Sequence, residues 1–261
     1  MATFIDTHSH LYSSKFDRDL PEVIARAREV LEAVVLPNID QESVEPMLSL
    51  HRQAPDFFFP AMGLHPSSVQ PDYPEVLAEM KAALEAPNHP YVAIGETGID
   101  LYWDKTTLHR QVAALEVHVE WAKAYDLPII LHARDAIEET LAVMEKHNDA
   151  RLRGIFHCFD GTAEQAARIR ALGDFWVGIG GIVTYRKDVQ AEVKEIPLEA
   201  IVLETDSPYL PPAPHRKDKP RRNESSYTKY VGAKLAELKD ISEEEVARIT
   251  NGNAREVFRL R

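Results

Sequence analysis

The sequence predicts an α/β protein folded as one (β/α)8 TIM barrel, with a metal site at the C-terminal mouth of its strands. Two observations lead to the barrel. Short apolar runs alternate with longer amphipathic segments, which implies parallel strands joined by crossover helices. Eight such units fit within 261 residues, a length suited to a closed barrel that buries a large core. An open dinucleotide-binding sheet is disfavoured, because no G-x-G-x-x-G follows the first strand. Residues 1–261 read as one domain, with no low-complexity linker and no repeat beyond the strand–helix alternation.

The first strand is expected over Thr3–Asp6, where Thr3, Phe4 and Ile5 are side chains that pack well on a pleated surface. Helical spacing over Leu20–Leu31 leads to a second strand at Ala33–Pro37. A third strand, Phe57–Met62, precedes the helical segment Tyr73–Leu84, and a fourth, Tyr91–Ile94, precedes Leu108–Tyr125. The fifth strand, Pro128–His132, is followed by Ala136–Lys146, and the sixth, Gly154–His157, by Ala163–Leu172. Phe175–Gly178 and Ile201–Glu204 complete the eight strands, and two further helices, Tyr227–Leu238 and Glu243–Arg259, end the chain.

Composition narrows the setting. One cysteine, Cys158, excludes an intramolecular disulfide and fits a reducing cytoplasm. No N-terminal signal pattern and no apolar run of membrane-spanning length is present, so no membrane role is expected. A formal net charge of −12 argues against a general nucleic-acid coat. Against that acidic background, His215-Arg216-Lys217-Asp218-Lys219-Pro220-Arg221-Arg222 places five formal positive charges in eight residues. Such a run is usually a solvated loop, but here it follows the eighth strand. Nothing in the sequence indicates an oligomer.

In a barrel of this kind, reactive side chains belong at the C-terminal ends of the strands. His8 and His10 follow strand one in Asp6-Thr7-His8-Ser9-His10, projecting to one side if the strand's alternation continues. His65 follows strand three, Glu96 follows strand four in Gly95-Glu96-Thr97-Gly98-Ile99-Asp100, His132 ends strand five, His157 ends strand six, and Glu204 and Asp206 close strand eight. Each has an ordinary structural role available: a core histidine, a turn carboxylate, a cap at Ser207-Pro208. Burying them together at one mouth is costly without cations or hydrogen bonds to compensate. Imidazole and carboxylate without clustered cysteine suit a catalytic divalent site, and six good ligands exceed what one metal needs.

These motifs, with Gly63-Leu64-His65-Pro66, His132-Ala133-Arg134, His157-Cys158-Phe159, Glu204-Thr205-Asp206-Ser207-Pro208-Tyr209-Leu210 and the closing Thr250-Asn251-Gly252-Asn253-Ala254, resemble the TatD family of metal-dependent deoxyribonucleases within the amidohydrolase superfamily. The resemblance implies two divalent cations per chain, magnesium or manganese in activity with zinc possible. His8, His10 and Asp206 would hold one ion, His132 and His157 the other, and Glu96 would bridge. Asp206 would also accept the proton of the attacking water. Glu204 would orient a ligand from behind rather than bind metal.

The remaining assignments concern substrate. His65, Arg134, Arg216, Arg222 and Asn223 are candidates to hold phosphate. The basic run departs from the family pattern, being longer at Lys217-Asp218-Lys219-Pro220 and carrying Ser225 in place of a proline. Tyr102 and Trp103 could stack on a base, although aromatics near a barrel mouth more often pack. His51, His109, His118 and His147 on helices and His89 in a loop read as surface or packing histidines, and Cys158 as a packing residue pointing away from the metals. The expected activity is phosphodiester hydrolysis of DNA, from a single-stranded or strand end. The alternatives are an amidohydrolase of a small phosphoester, lactone or amide, and a non-catalytic protein that keeps metal for binding or stability.

Overall fold

The computed structural model describes residues 2–219 and 221–260; Pro220 of the basic run lies outside the described residues. The strands are β1 (Phe4–Asp6), β2 (Leu31–Pro37), β3 (Phe58–Met62), β4 (Ala93–Asp100), β5 (Ile129–Arg134), β6 (Arg153–Phe156), β7 (Asp174–Ile179) and β8 (Ile201–Leu203). All neighbours pair in parallel, in sequence order from β1 to β8. The helices are α1 (Leu20–Val30), α2 (Gln41–Gln53), α3 (Tyr73–Leu84), α4 (Leu108–Tyr125), α5 (Ile137–His147), α6 (Ala163–Ala171), α7 (Lys187–Glu195), α8 (Thr228–Lys239) and α9 (Glu243–Phe258). This is the (β/α)8 barrel the alternation predicts.

Alternate strand residues belong to two apolar clusters, as the two-residue period of a strand requires. Ile5, Val35, Ile130, Ile155, Trp176 and Val202 form the inner one, joined by Ala254, Val257 and Phe258 of α9. Phe4, Leu36, Phe58, Met62, Phe156 and Phe175 lie in the outer one with the buried faces of the helices. Helix α9 is tied to the N-terminal ends of the strands. The Asn251 side chain accepts from Ile5 N and donates to Thr3 O, Asn253 donates to Leu198 O and Ile201 O, and Arg153 donates to Val257 O.

The barrel closes between β8 and β1 beyond the ends of the strands. Thr7 N donates to Leu203 O at 3.0 Å, Asp206 N to His8 O at 2.9 Å and His10 N to Ser207 O at 2.7 Å, and Ser9 and Ser207 form a parallel bridge. Closing the sheet therefore brings His8, His10 and Asp206 together.

Three elements differ from expectation. β4 runs on through Gly95-Glu96-Thr97-Gly98-Ile99 to Asp100, past the Ile94 where the glycines suggest a turn. Those glycines instead allow close strand packing: a Cβ on Gly63 would lie 2.6 Å from the Gly95 Cα. α2, which carries Pro46 inside it, and α7, short and polar, are not delimited by apolar spacing.

Candidate metal centre

The ligand-bearing segments are locked from beneath. The buried Asp6 carboxylate accepts from His8 N at 3.3 Å, Thr205 N at 2.9 Å and Thr205 Oγ1 at 2.7 Å, so one side chain at the end of β1 joins the two halves of the seam. Burial pushes its carboxyl up to about 7. Beside it, the hydroxyls of Ser9, Ser207 and Ser225 form a buried chain, with oxygens 2.6 and 2.9 Å apart.

Glu96 sits in the middle, inside β4, with its two oxygens facing different imidazole sets. Oε2 is 3.1 Å from His8 Nε2 and 3.6 Å from His10 Nε2. Oε1 is 2.8 Å from His132 Nδ1, 2.9 Å from His157 Nε2 and 3.4 Å from His65 Nε2. Asp206 Oδ1 completes the first set at 3.4 Å from His10 Nε2 and 3.9 Å from His8 Nε2. His8, His10 and Asp206, and separately His65, Glu96 and His132, each present ligand atoms within 4.8 Å of one another, as do His8, His157 and Glu204. The structure brings all six sequence-derived ligand candidates to one place and adds His65 to them.

Several imidazoles are oriented from behind. His10 Nδ1 lies 2.8 Å from the Tyr12 hydroxyl, which donates to Pro37 O. His132 Nε2 lies 2.8 Å from Asp100 Oδ2, which turns Nδ1 inward. Glu204 accepts from Cys158 N at 2.5 Å and stands 3.6 Å from His157 Nδ1, the position expected of an orienting carboxylate. Its space exists because residue 178 is glycine: a Cβ there would lie 2.2 Å from Glu204 Oε2. Tyr12 and Asp100 have no assigned role in the sequence reading. Asp100 was visible in the Gly-Glu-Thr-Gly-Ile-Asp motif, four residues from Glu96 on the same strand.

The donor set fits divalent cations. Nitrogen lone pairs are crowded, with His8 Nε2 3.2 Å from His10 Nε2 and His132 Nδ1 3.3 Å from His157 Nε2. His8 Nδ1, His157 Nδ1 and Glu204 Oε2 are buried without a hydrogen-bond partner. Burial pushes the Glu96 carboxyl up, but the imidazoles of His157, His65 and His8 and the contact with His132 outweigh it and hold it well below the usual carboxylate range. Burial opposes the charge of His157 too, and Glu96 and Glu204 reverse this and raise it well above the usual imidazole value. Ionised carboxylate oxygens and imidazole nitrogens converging on one point are the hard and borderline donors that divalent cations take.

Above the centre opens a cleft of about 780 Å³, whose rim includes Lys15, Trp103, Arg134, Tyr185, Arg186 and Arg221. His65 and Arg134 line it, as the sequence suggests. The basic run is placed differently. Arg222 is engaged with Asp19 through two hydrogen bonds of 2.7 and 2.6 Å and also donates to Lys15 O. Asn223 is fully buried, its amide donating to Thr205 O and Leu210 O, so it braces the seam and does not face substrate. Arg216 stacks over Tyr185, and Arg221 is the member of the run that lines the cleft.

Cys158 also corrects an expectation. β6 ends at Phe156, Cys158 takes a positive φ of 48°, and the residue is part of the cleft lining because strand alternation has already stopped. Burial pushes its pKa well up, and nearby carboxylates add to that. The other histidines stay out of the centre. His118 is buried on α4, accepting from Leu64 N and donating to Ala114 O, His147 pairs with Glu116, His51 donates to Phe58 O, and His89 stacks on Tyr91.

A parallel barrel carrying imidazoles and carboxylates around a cation-demanding point at its C-terminal mouth defines a metal-dependent hydrolase. The family model for TatD related DNase matches residues 5–259, and the chain belongs to this family. It is 38% identical to the metal-dependent hydrolase YabD of Bacillus subtilis over 258 residues, covering 98% of each chain. It is 33% identical to the 3'-5' ssDNA/RNA exonuclease TatD of a Rahnella strain over 257 residues, covering 96% of each. The crystal structure of the TatD homologue YjjV from Escherichia coli K12 superposes with a TM-score of 0.90 at 30% identity, covering 99% of this chain and 98% of that one.

Proposed function

We propose that this chain hydrolyses phosphodiester bonds of DNA, working inward from a single-stranded or strand end, with two divalent cations at the barrel mouth. The observation that carries the reading is Glu96, whose two oxygens address two separate imidazole sets at the floor of a cleft rimmed by lysine and arginine. In a chain of net charge −12, cations gathered at one mouth point to an anionic substrate. The exonuclease named among its relatives agrees in substrate class.

Cations bound here, magnesium or manganese in use and zinc as a third candidate, would acidify the attacking water and neutralise charge on the phosphoryl oxygens. His8, His10 and Asp206 would hold one, His132 and His157 the other, with Glu96 between them. Asp206, whose side chain is the most open of the four carboxylates around the centre, would accept the water's proton. Arg134 and His65 bind non-bridging phosphate oxygens, and Arg221 takes the phosphate role that the sequence suggests for Arg216 and Arg222. Tyr12, Asp100 and Glu204 keep imidazoles in register throughout.

One observation supports a second reading, hydrolysis of a small phosphoester, lactone or amide: a cleft of about 780 Å³ falls within the range of small-molecule sites. One experiment separates the two. Metal-stripped protein is given Mg²⁺, Mn²⁺ or Zn²⁺ and end-labelled single-stranded DNA. The expected result is a metal-dependent ladder from one end, reduced at least about 100-fold in Asp206→Asn with unchanged melting temperature. Metal-loaded protein that leaves the DNA intact while cleaving a small ester would overturn the nuclease reading.

A further inference from the structure

Tyr102 and Trp103 leave the end of β4 on a turn beside the cleft and belong to neither apolar cluster. Trp103 is 73% exposed and Tyr102 53%, whereas the other two tryptophans, Trp121 and Trp176, are 6% and 2% exposed. The two rings meet edge to face, with centroids 4.8 Å apart. The Arg134 guanidinium lies 3.7 Å from the Tyr102 ring centroid and 5.6 Å from that of Trp103. Trp103 and Arg134 line the same cleft as His132 and Glu96.

The turn is coupled to the metal centre through one carboxylate. Asp100 Oδ1 accepts from Tyr102 N at 3.0 Å and Trp103 N at 3.4 Å, while its Oδ2 holds His132 Nε2. The aromatic pair is thus held at a set distance from the reacting centre. A flat exposed indole beside a stacked guanidinium is suited to a flat, electron-rich partner next to a phosphate, which describes a nucleotide.

We propose that Trp103, backed by Tyr102 and Arg134, is a stacking subsite for the base of the nucleotide adjoining the scissile phosphodiester. This rests on the nuclease reading and goes beyond it by naming how a strand is told from a small ester. Arg134 uses its face on Tyr102 and its edge on the phosphate. Because every base has a π-face, the subsite selects single-stranded nucleic acid without selecting sequence.

The test uses metal-loaded protein, hexathymidylate, its cleavage-resistant phosphorothioate counterpart and an abasic phosphorothioate oligomer of the same length. Trp103 is the one exposed tryptophan, so binding of the base-bearing strand should quench the fluorescence, and the abasic strand should not. Trp103→Ala should weaken binding of the base-bearing strand by between about 5-fold and 150-fold, Trp103→Phe should retain most of it, and the abasic strand should bind both proteins equally weakly. If Trp103→Ala binds and cleaves hexathymidylate as the parent does, the subsite is overturned and the nuclease reading stands. If the parent protein neither binds nor cleaves hexathymidylate, the nuclease reading itself falls and takes the subsite with it.

Discussion

At the N-terminal end of the barrel, α9 lays Ala254, Val257 and Phe258 against Ile5, Val35, Trp176 and Val202, with asparagine side chains meeting the backbone at its edges. At the C-terminal end, the same sheet delivers five buried or half-buried imidazoles onto one glutamate and leaves His8 Nδ1, His157 Nδ1 and Glu204 Oε2 without partners. The first end stabilises the fold through apolar burial. The second end buries polar atoms without partners, which costs free energy, and a cation bound there would offset part of that cost. Stability and reactivity are separated along the barrel axis. Substitutions at the two ends should therefore fail in different ways.

The sharpest contrast to the Asp206→Asn loss of activity is Phe258→Ala. Phe258 is nearly fully buried in the inner cluster, so its truncation should cost about 3–5 kcal/mol of unfolding free energy in urea titrations. Activity per folded molecule should stay within about twofold of the parent. A loss of specific activity comparable to that of Asp206→Asn would break the separation and show that the plug sets the geometry of the mouth.

A second expectation compares buried histidines. His118 lies under the loop that carries His65, with both ring nitrogens satisfied by Leu64 N and Ala114 O, and burial lowers its pKa to about 4. The folded imidazole stays neutral down to about pH 4, while the unfolded one takes a proton near 6.5. The unfolded state then binds more protons across that window, so the stabilisation is complete above pH 6.5 and lost as pH falls towards 4. The difference in unfolding free energy between the parent and His118→Gln should shrink by about 3 kcal/mol over this window, in denaturant titrations at fixed pH. A difference independent of pH would mean that His118 titrates in the folded protein as it does in the unfolded chain, and a difference that grows as pH falls would mean that it is charged in the fold.

Much of this was legible in the sequence, and the gaps follow from local geometry. Polar residues at successive strand ends point to one mouth because a barrel's C-terminal rim gathers them, whatever the loops do. Glu96 is legible as a site residue but not as an interior strand residue, because Gly95 and Gly98 read as a turn, and only packing against β5 and Gly63 shows them as close-approach positions. Asn223 is misread as a substrate contact because its neighbours are basic. In the fold, its amide is drawn to two carbonyls of the seam. Arg221 and Arg222 differ in role by one position of a loop, which no periodicity fixes. Tyr12 and Asp100 act through other side chains, and spacing along the chain carries no signal for contacts of that kind.

Asp100 offers the smallest expected effect and the most informative one, because it serves the mouth without being aimed at a cation. One of its oxygens meets His132 Nε2 and the other meets the backbone of the turn that carries Trp103. An asparagine has one acceptor oxygen, so Asp100→Asn can satisfy the imidazole N–H or the turn but not both, and it removes the negative charge that makes His132 a better donor to a metal. The expected outcome is a 10-fold to 100-fold loss of divalent-ion affinity in competition with a chelator, with the unfolding free energy in metal-free buffer changed by less than about 1 kcal/mol. If affinity is unchanged and only stability falls, Asp100 belongs with the structural half of the molecule, and the boundary between the two ends must be drawn above β4. If affinity falls and the parent's fluorescence response to a base-bearing strand falls with it, one carboxylate sets both the metal and the base-stacking turn, and the two halves of the mouth are a single device.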